Sequence, residues 1–411
     1  MSNPQPSLPP PSPETLSALK EDLDALYAKT LAQLGDRELR HLRRIERVGW
    51  LLSLLGWATA WIFPNPLSAL AMAQGSVSRW AIVAHHVLHR GYDRIASTPA
   101  RLTSKGFATG WRRWIDWPDW IIPEAWCFEH NVLHHGHTGE PGDPDVAETV
   151  FQWLRETKAP RALKLFLVGV SMCTWRFIYY APNTLWTIRK RREMKSAGAD
   201  RGGFRLDEVH ISEPTNFYHG AWLLLPFSAG AGELWLRCYL PYIGLRFGLL
   251  PLPFLLLGTG AWLSTLATVL MAEIFANIIS FLIIVPNHSG EDLYRFDGPA
   301  KSRAELYYRQ IVGSTNYTGG TELSDMLQGY LNYQIEHHLW PSLPALSYRD
   351  MQPEVEAICA KHGVPYVNEP LALRVKKTVA LLIGEASMRT FAEPEPIESG
   401  PTPARSTISA A

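Results

Sequence analysis

The sequence predicts an all-α membrane protein with four transmembrane helices in two hairpins and a polar helical cap on the cytoplasmic side. The apolar residues fall into long runs, and many of the 16 tryptophans lie beside those runs, as is typical of a membrane–water interface. A mean hydropathy of -0.07 is too low for a chain embedded in lipid throughout, so a large polar part must accompany the membrane helices. The 39 basic and 39 acidic residues balance, so no nucleic-acid partner is expected.

The two ends of the chain differ in composition from the middle. Residues 1–15 are polar and proline-rich and residues 386–411 are small and polar, so both are predicted to be disordered tails. Residues 16–385 then form one membrane domain. The amino terminus lacks the basic stretch and apolar core of a cleavable signal peptide. The four cysteines are scattered without a CxxC pair, which fits a reducing compartment and argues against a thiolate metal site.

The first hairpin is predicted just after an amphipathic cap helix at residues 16–34. Two apolar runs, residues 50–63 and 67–84, are separated by the turn Pro64-Asn65-Pro66. Each run is near the lower limit of about 20 residues for a membrane-spanning helix. Five arginines precede the hairpin, so the positive-inside rule places the amino terminus in the cytoplasm. These arginines are Arg37, Arg40, Arg43, Arg44 and Arg47.

An aromatic stretch follows, from Trp111 to Trp126. It holds five tryptophans and is interrupted by Pro118 and Pro123. The composition suits a broken segment in the lipid headgroup layer or, equally, an aromatic core under the cap.

The second hairpin is predicted at residues 234–257 and 261–286, joined by a short glycine-containing turn. Glu273 and Asn277 lie inside its second leg. Polar groups at membrane depth must face the protein interior, so both side chains are expected to point away from lipid.

The apolar residues 161–186 can either cross the bilayer or lie flat at its surface. His288 ends the last predicted span and should share a side with the other histidine clusters. An even number of crossings must then separate His137 from His288. Residues 161–186 are therefore placed in the interface, which leaves four spans and puts both termini in the cytoplasm.

Four histidines fall within the eight residues from His130 to His137, a density that no globular core requires. If the segment is helical, His130 and His134 lie one turn apart on the same face, with His135 beside them. Three imidazoles would then converge on one point, as ligands of a transition-metal ion do. The alternative is a solvated polar loop that happens to be rich in histidine.

Two further clusters and one solitary histidine extend this set. The number of imidazoles exceeds what one zinc ion takes, but it fits two ions with three or four protein ligands each and open positions for a small molecule. Imidazole alone does not choose among iron, copper, nickel and zinc. The candidate metal ligands are His85, His89, His130, His134, His135, His288, His337 and His338.

The remaining histidines are weaker candidates. His86 and His137 adjoin predicted ligands, and each either binds metal or orients a ligand from outside. The others stand alone and are assigned no role: His41, His210, His219 and His362.

Three motifs resemble the histidine boxes of the membrane fatty acid desaturases. HHVLH at residues 85–89 is similar to the HxxxH box, HNVLHH at residues 130–135 to the HxxxHH box, and QIEHH at residues 334–338 to the third box. The order and spacing agree, and the resemblance covers residues 50–366. The QIEHH box is most similar to that of the acyl-lipid and front-end branch.

The resemblance implies a di-iron centre that uses dioxygen and two electrons to introduce a double bond into a long-chain fatty acyl group. The eight candidate histidines would be the iron ligands, and Gln334 would be a ligand or a neighbour of one. His86 stands where family members often carry Asp. The fused haem-binding domain of many front-end members, with its HPGG motif, is missing, so a separate ferredoxin- or cytochrome-type donor is expected.

The chemistry explains why the candidate site contains few carboxylates. Unactivated methylene hydrogens are not acidic, so an oxidised metal must abstract them while the protein positions the acyl chain. The nearby carboxylates either accept imidazole N–H bonds or are solvated charges of the cap: Glu129, Asp93, Asp143, Asp145 and Glu336. An apolar tunnel is expected from the bilayer to the metals, lined partly by residues 111–126.

Two other functions stay open at this point. A di-iron lipid hydroxylase or carotenoid-type ketolase would share the metal centre, but hydroxylation adds an oxygen whereas desaturation removes two hydrogens. A membrane binding or receptor protein with structural zinc belongs to a different class, and metal analysis would find zinc without iron.

Overall fold

The computed structural model describes residues 11–196 and 217–391, and these are mostly helical. The outer parts of both predicted tails lie outside the described residues, as do His210 and the side chain of His219. The first helix begins at Pro13, inside the predicted amino-terminal tail. At the other end, Arg389 pairs with Tyr294 in an isolated bridge and Phe391 stacks on the same tyrosine.

The α-helices described are, in chain order, α1 (Pro13–Gln33), α2 (Asp36–Thr59), α3 (Pro66–Val77), α4 (His85–Leu88), α5 (Arg113–Asp116), α6 (Pro123–Phe128), α7 (His135–His137), α8 (Ala147–Val150), α9 (Gln152–Glu156), α10 (Arg161–Trp175), α11 (Ala181–Ser196), α12 (Phe217–Trp222), α13 (Ala231–Glu233), α14 (Leu240–Ile243), α15 (Thr259–Ile284), α16 (Arg303–Val312), α17 (Glu322–Leu327), α18 (Gln334–Leu339), α19 (Ala345–Lys361) and α20 (Leu371–Leu382).

Tighter and wider helical segments join these helices. The π-helical segments described are Ser78–Ala84, Glu129–His134, Arg176–Tyr180, Leu234–Tyr239 and Gly244–Leu249. The 3₁₀ segments described are Ala100–Leu102, Gly110–Arg112, Leu252–Leu257, Val285–His288 and Leu331–Tyr333. The strands β1 (Asn316–Tyr317) and β2 (Asn368–Glu369) pair in parallel, with Asn316 opposite Asn368.

Helix α1 confirms the amphipathic helix predicted at residues 16–34. Ser12 accepts a hydrogen bond from the Thr15 amide, and Pro13 occupies the first turn, where a missing N–H leaves no bond unmade. Leu19 and Leu23 are fully buried and form the face that packs on α16 and α19.

Helices α2 and α3 pack closely because glycines face one another across the contact. A Cβ atom on Gly75 would lie 2.6 Å from the Gly49 carbonyl oxygen and 2.8 Å from the Ser53 amide nitrogen. Such small-residue contacts let the backbones of membrane helices approach. The two helices therefore form one rigid antiparallel pair, which leads into the first histidine motif.

The variant Gly75→Ala is expected to lower the stability of the protein by about 1–3 kcal/mol, since the added methyl group overpacks against backbone that cannot yield. The melting temperature of the purified protein in detergent measures this. Gly169→Ala in α10 is the matched control, because a Cβ atom there meets nothing within 4 Å. An equal loss in both variants would contradict the close-packing explanation.

Three helices in the described ranges are long and apolar enough to cross a membrane: Arg161–Ser196, Ala231–Leu257 and Thr259–His288. The last two contain the legs of the predicted second hairpin. The first contains the residues that the sequence analysis placed in the interface. The legs of the predicted first hairpin are not among the three, because α2 begins with a charged stretch and the second leg carries Gln74 and Arg79. The four-span count therefore stays a prediction.

Large apolar side chains cover the outside of the helices around α15, which packs against α3 and α10. A soluble monomer rarely exposes a contiguous apolar surface of this kind, so the surface indicates a membrane protein. Its exposed members include Leu51, Leu54, Leu55, Leu67, Leu70, Phe166, Leu236, Leu256, Leu263 and Leu270.

The cap fixes the third histidine motif through one buried asparagine. Asn316, on β1, accepts a hydrogen bond from the Ile335 amide and donates one to Glu336. Tyr366 donates a second hydrogen bond to Glu336. The short parallel sheet thereby holds the start of α18 in place, and the Glu336 carboxylate bonds to Asn316 and Tyr366.

Candidate metal centre

The first two histidine motifs both adjoin π-helical turns. Ser78–Ala84 leads into α4 with His85, and Glu129–His134 carries His130 and His134. Wider turns of this kind recur at functional sites, because they redirect side chains from the regular helical faces. The rings of His85 and His130 come within 4.9 Å of each other, centroid to centroid.

The third motif and His288 complete the centre. Helix α18 presents His337 and His338, whose rings are nearly perpendicular at 88° and 5.6 Å apart. His288 ends the segment that follows α15, and its ring lies 4.4 Å from that of His338 and 4.7 Å from that of His134. His85 and His337, more than 200 residues apart in sequence, also meet, with ring centroids 4.7 Å apart.

The eight predicted ligands fall into two histidine-only groups in which candidate ligand atoms lie within 4.8 Å of one another. The five-histidine group consists of His85, His89, His130, His135 and His337. The three-histidine group consists of His134, His288 and His338. His134 is thus in a different histidine-only group from His130 and His135, although a further candidate group joins His130 and His134 to Asp145.

The donor atoms in these groups fit metal binding. Within the described ranges, buried ring nitrogens of His89, His130, His135 and His338 have no hydrogen-bond partner, a costly arrangement unless an ion satisfies them. Within the five-histidine group, the Nε2 atoms of His85 and His337 lie 2.9 Å apart. All-imidazole donors of this kind suit a transition metal.

Burial sets the protonation state of most of these rings. It lowers the pKa of the buried imidazoles well below the usual range, and neighbouring imidazoles lower it further; this holds for His85, His89, His130, His135, His337 and His338. Burial also acts to lower the pKa of His134, but Asp143 and Asp145 outweigh it and raise the pKa. Neutral rings at pH 7 keep the lone pairs that a metal requires.

Polar groups around the centre orient the rings through Nδ1. His134 Nδ1 lies 2.9 Å from Asp143 Oδ1, and His338 Nδ1 lies 2.7 Å from Gln310 Oε1. His288 Nδ1 lies 3.2 Å from the carbonyl oxygen of residue 313. These bonds direct Nε2 of each ring toward the centre, the arrangement typical of metal-binding histidines.

An apolar cavity of about 230 Å³ adjoins both histidine groups. One wall is formed by α10, whose lining residues Leu167, Val170, Ser171 and Thr174 recur at helical spacing. Val170 is 40% exposed, so the cavity reaches the surface on the α10 side. The metal side of the wall consists of His85, His130, His134, His288 and Gln334.

The matching family model is that of the fatty acid desaturases, and it covers residues 56–370. That range contains all three histidine motifs and every residue of both histidine groups. The chain belongs to the fatty acid desaturase family.

Individual relatives agree with this. The chain is 24% identical over 377 residues to the NADPH-dependent stearoyl-CoA 9-desaturase of Mycobacterium tuberculosis, covering 88% of this chain and 77% of that protein. It is 24% identical over 348 residues to fatty acid desaturase 3 of Bos taurus, covering 81% of this chain and 63% of the relative. It is 24% identical over 255 residues to delta(5) fatty acid desaturase A of Dictyostelium discoideum, covering 60% of this chain and 49% of that protein.

The predicted enzyme class is thereby confirmed, since a desaturase is an oxidoreductase that acts on fatty acyl chains with dioxygen. The histidine groups fit a metal site of such an enzyme better than the structural zinc of a receptor, because eight buried imidazoles exceed what one zinc takes.

The weaker candidates for the desaturase site have separate partners. His86 Nδ1 lies 2.7 Å from the Ile82 carbonyl oxygen, and His137 Nδ1 lies 2.9 Å from Glu140 Oε2. Neither histidine belongs to the two groups. Gln334 does adjoin the three-histidine group, with its Nε2 atom 2.9 Å from His288 Nε2.

The predicted carboxylates differ in position. Glu129 is fully buried beside the centre, and burial raises its pKa well above the usual range. Asp145 lies within reach of His130 and His134. Of the two alternatives for Asp93, the structure fits a solvated charge, since Asp93 is exposed and accepts hydrogen bonds from Ser104.

The aromatic stretch from Trp111 to Trp126 combines both predicted arrangements. Trp111 is exposed at the surface, whereas Trp117 and Trp120 are buried. Among the tryptophans of this stretch, Trp126 alone lines the cavity. The stretch therefore contributes to the tunnel wall only at its last turn.

Sequence reasoning missed Gln310. Its amide oxygen accepts from His338, and its amide nitrogen donates to the carbonyl of His135, so one side chain links both histidine groups. It lies in the last turn of α16, with no motif around it. Only its place on the buried face of that helix could have drawn attention to it.

Replacing Asp143 with Asn is expected to reduce metal retention or turnover by about 10- to 100-fold, because the amide holds the His134 ring less strongly. Bound metal after dialysis against a chelator, together with the rate of product formation, measures this. Asp93→Asn is the control, since Asp93 bonds Ser104 away from the centre. Unchanged retention and rate in Asp143→Asn would show that this hydrogen bond does not support the site.

Proposed function

We propose that this enzyme introduces a double bond into a long-chain fatty acyl group, using a di-iron centre, dioxygen and two electrons from a separate ferredoxin- or cytochrome-type donor. The observation that carries the proposal is the junction of an apolar cavity with two groups of buried imidazoles. A methylene chain in that cavity would lie against the metals. Its hydrogens are not acidic, so their removal requires no acidic or basic side chain beside the chain.

The proposed ligands are the members of the five-histidine and three-histidine groups. These side chains would hold two iron ions, which with dioxygen and two electrons would supply the oxidising chemistry that removes two hydrogens from the chain. The protein's own side chains supply position: Asp143 and Gln310 orient ligand rings, while α10 and the aromatic wall hold the chain and exclude water. Gln334, beside the three-histidine group, is proposed as a further ligand or as a hydrogen-bonding neighbour of His288.

We also propose the four-span topology with the metal centre and both termini in the cytoplasm. Lys164, near the start of α10, donates to the Ile383 carbonyl of the cap, and Tyr179 donates to the Pro144 carbonyl beside the second histidine motif. Contacts at residues 164 and 179, near the start of α10 and just after its end, support a helix that lies along the interface. An even number of crossings then separates His134 from His288, as their contact requires.

Expression in a host of known lipid composition, followed by gas chromatography–mass spectrometry of its fatty acids, tests the activity. The proposal expects a new acyl product lighter by two hydrogens than its precursor, and iron in the purified protein. A product heavier by one oxygen would make the enzyme a hydroxylase. Zinc without iron and no new product would overturn the di-iron assignment.

A further inference from the structure

At Arg90 the protein surface comes close to the metal centre. Arg90 follows the proposed ligand His89 in the chain, and its side chain is exposed. The other residues that directly flank the eight proposed ligands are buried or half-buried. Neighbouring Cα atoms are about 3.8 Å apart, so solvent at Arg90 lies one residue from a ligand. A redox partner that docks at Arg90 would have a short path to the centre.

The backbone at Arg90 indicates that its side chain has a function of its own. Arg90 has a φ of 66°, and the Gly91 amide donates to the His86 carbonyl, as at a helix end where glycine is strongly preferred. Arginine is strained in this conformation. Its guanidinium has no hydrogen-bond or ion-pair partner among the described residues, so no contact within that part of the fold explains why the chain carries arginine here.

Residues 90–105 carry an excess of positive charge, with four basic side chains and one acidic one. Arg101 forms an ion pair with a carboxylate of α2. Arg94 donates to a tyrosine hydroxyl instead, and the Lys105 ammonium has no partner in the described part of the chain. Asp93 accepts from a serine and not from a cation. Three of the four cations therefore have no carboxylate bonded to them.

Helix α2 lies beside this segment and extends the positive charge. Asp36 of α2 accepts from Ser97, and three arginines follow Asp36 on one face of the helix. None of the three has a carboxylate partner among the residues that the structure describes. Together with residues 90–105 they form a basic surface, which favours an anionic partner. The basic surface consists of Arg40, Arg43, Arg47, Arg90, Arg94 and Lys105.

The basic surface also adjoins the third histidine motif. Arg94 bonds the Tyr27 hydroxyl, and Tyr27 stacks on Trp340 with ring centroids 5.7 Å apart and an interplanar angle of 10°. Trp340 follows the proposed ligand His338 by two residues. The surface is therefore close to ligands of both histidine groups, since His89 belongs to the five-histidine group and His338 to the three-histidine group.

The proposed reaction needs electrons that the acyl chain does not supply. The chain gives up two hydrogens with two electrons, a donor gives two more electrons, solvent gives two protons, and dioxygen becomes two water molecules. The histidine groups are buried, so a donor protein must dock on the surface above them. The rate of electron transfer falls steeply with distance, which favours docking where the ligands come closest to that surface.

We propose that the basic surface binds the acidic face of a one-electron iron–sulfur or haem protein, and that electrons enter the metal centre beside His89. The inference rests on the proposed function and identifies where the separate donor docks. Each donor molecule is oxidised by one electron, so two donor molecules dock in turn for each double bond. Charge complementarity of this kind speeds association and makes it depend on ionic strength.

The test is equilibrium binding of fluorescently labelled acidic probes to the purified, metal-loaded protein in detergent. The probes are a plant-type [2Fe–2S] ferredoxin and the soluble haem domain of a cytochrome b5. The variant Arg94→Gln/Lys105→Gln is expected to weaken binding roughly tenfold at low ionic strength, and the difference should disappear in high salt. The matched control, Arg161→Gln/Lys376→Gln, removes one exposed arginine and one exposed lysine elsewhere and should bind like the wild type.

The variant Arg90→Gly separates docking from folding. Glycine favours the left-handed conformation, so this variant should melt at or above the wild-type temperature and keep the wild-type metal content. It should nevertheless bind the probe about two- to fivefold more weakly, the range of an exposed ion pair. Arg90→Lys keeps the charge and should restore most of the binding. Reduction of the bound metal by the donor should slow in Arg90→Gly, whereas reduction by dithionite in high salt should not change.

The basic surface is wrong as a docking site if the wild type binds neither probe, or if Arg90→Gly binds as tightly as the wild type. Equal losses of affinity in the surface and control variants would exclude it too. It is also wrong if Arg94→Gln/Lys105→Gln binds both probes normally but has lost affinity for dihexanoyl phosphatidylglycerol, because the cations would then face the membrane.

The docking proposal and the proposed function fail in different ways. If the wild-type protein forms an unsaturated product but the surface variants are reduced by the donor at the wild-type rate, the docking site is wrong and the activity stands. If reduction by the donor depends on the basic surface and no unsaturated product forms, the proposed activity is wrong.

Discussion

The variant His338→Ala is expected to abolish product formation and to lower bound metal from two ions per chain to about one. His338 is one of only three imidazoles in its group, and two protein ligands fall below the three that hold a catalytic ion. The five-histidine group loses no member, so it should keep its ion. Metal content by plasma emission spectrometry and the yield of unsaturated acyl chains measure the two effects separately.

The control for His338→Ala is His362→Ala. His362 bonds Asp22 on the cap and lies outside both groups, so this variant should retain the wild-type metal content and product yield. Both variants must melt near the wild-type temperature for the comparison to hold. A His338→Ala protein that still binds two ions and forms product at the wild-type rate would remove His338 from the ligand set.

The sequence was sufficient to predict the histidine set because the chemistry demands a rare composition. Imidazoles concentrated at 85–89, 130–137 and 337–338 have few explanations other than a metal, and the structure brings them together with His288. The division into groups of five and three was not predictable. Spacing of four residues does place the His130 and His134 rings side by side, 5.2 Å apart and stacked, but spacing does not encode the distant histidines that each ring meets, and these put the two in different histidine-only groups.

The side chains that support the histidine motifs from distant parts of the chain could not be predicted from the sequence either. Gln310 and Asn316 act on histidines and on α18 across the fold, and neither stands in a motif. Their roles depend on how α16 and β1 pack, which no local pattern encodes. The opposite holds for α1, where a capping serine, a first-turn proline and leucines at helical spacing all lie within the segment itself.

Segment 161–196 illustrates a limit of hydropathy. Its length and composition meet the requirement for a membrane span. Lys164, near the start of α10, and Tyr179, just after its end, nevertheless bond to the carbonyls of Ile383 and Pro144, while Trp175 at the end of α10 bonds to α15. Hydropathy reports the free energy of removing side chains from water, and a helix at the interface gains much of that energy too, so the interfacial position stays a prediction.

The variant Asp119→Asn is expected to destabilise the protein by about 3–5 kcal/mol, because it leaves the buried guanidinium of Arg176 without a counter-charge. Both side chains are almost completely inaccessible, and they form an ion pair. The Arg176 guanidinium also lies over the Trp80 ring at 5.0 Å, and Trp80 lines the cavity. Loss of the pair should therefore loosen the aromatic wall of the acyl site as well as the fold.

Asparagine is the most specific substitution at this position, because it has the size of aspartate and removes only the charge. Its amide oxygen can still accept from the Ile121 amide, as Asp119 Oδ1 does at 3.1 Å. The melting temperature in detergent measures the loss, and the double variant Asp119→Leu/Arg176→Met should recover most of it, because replacing a buried pair by apolar groups is often neutral. If Asp119→Asn has the melting temperature of the wild type, or if the double variant melts below the single variant, the ion pair between Asp119 and Arg176 does not stabilise the fold in this way.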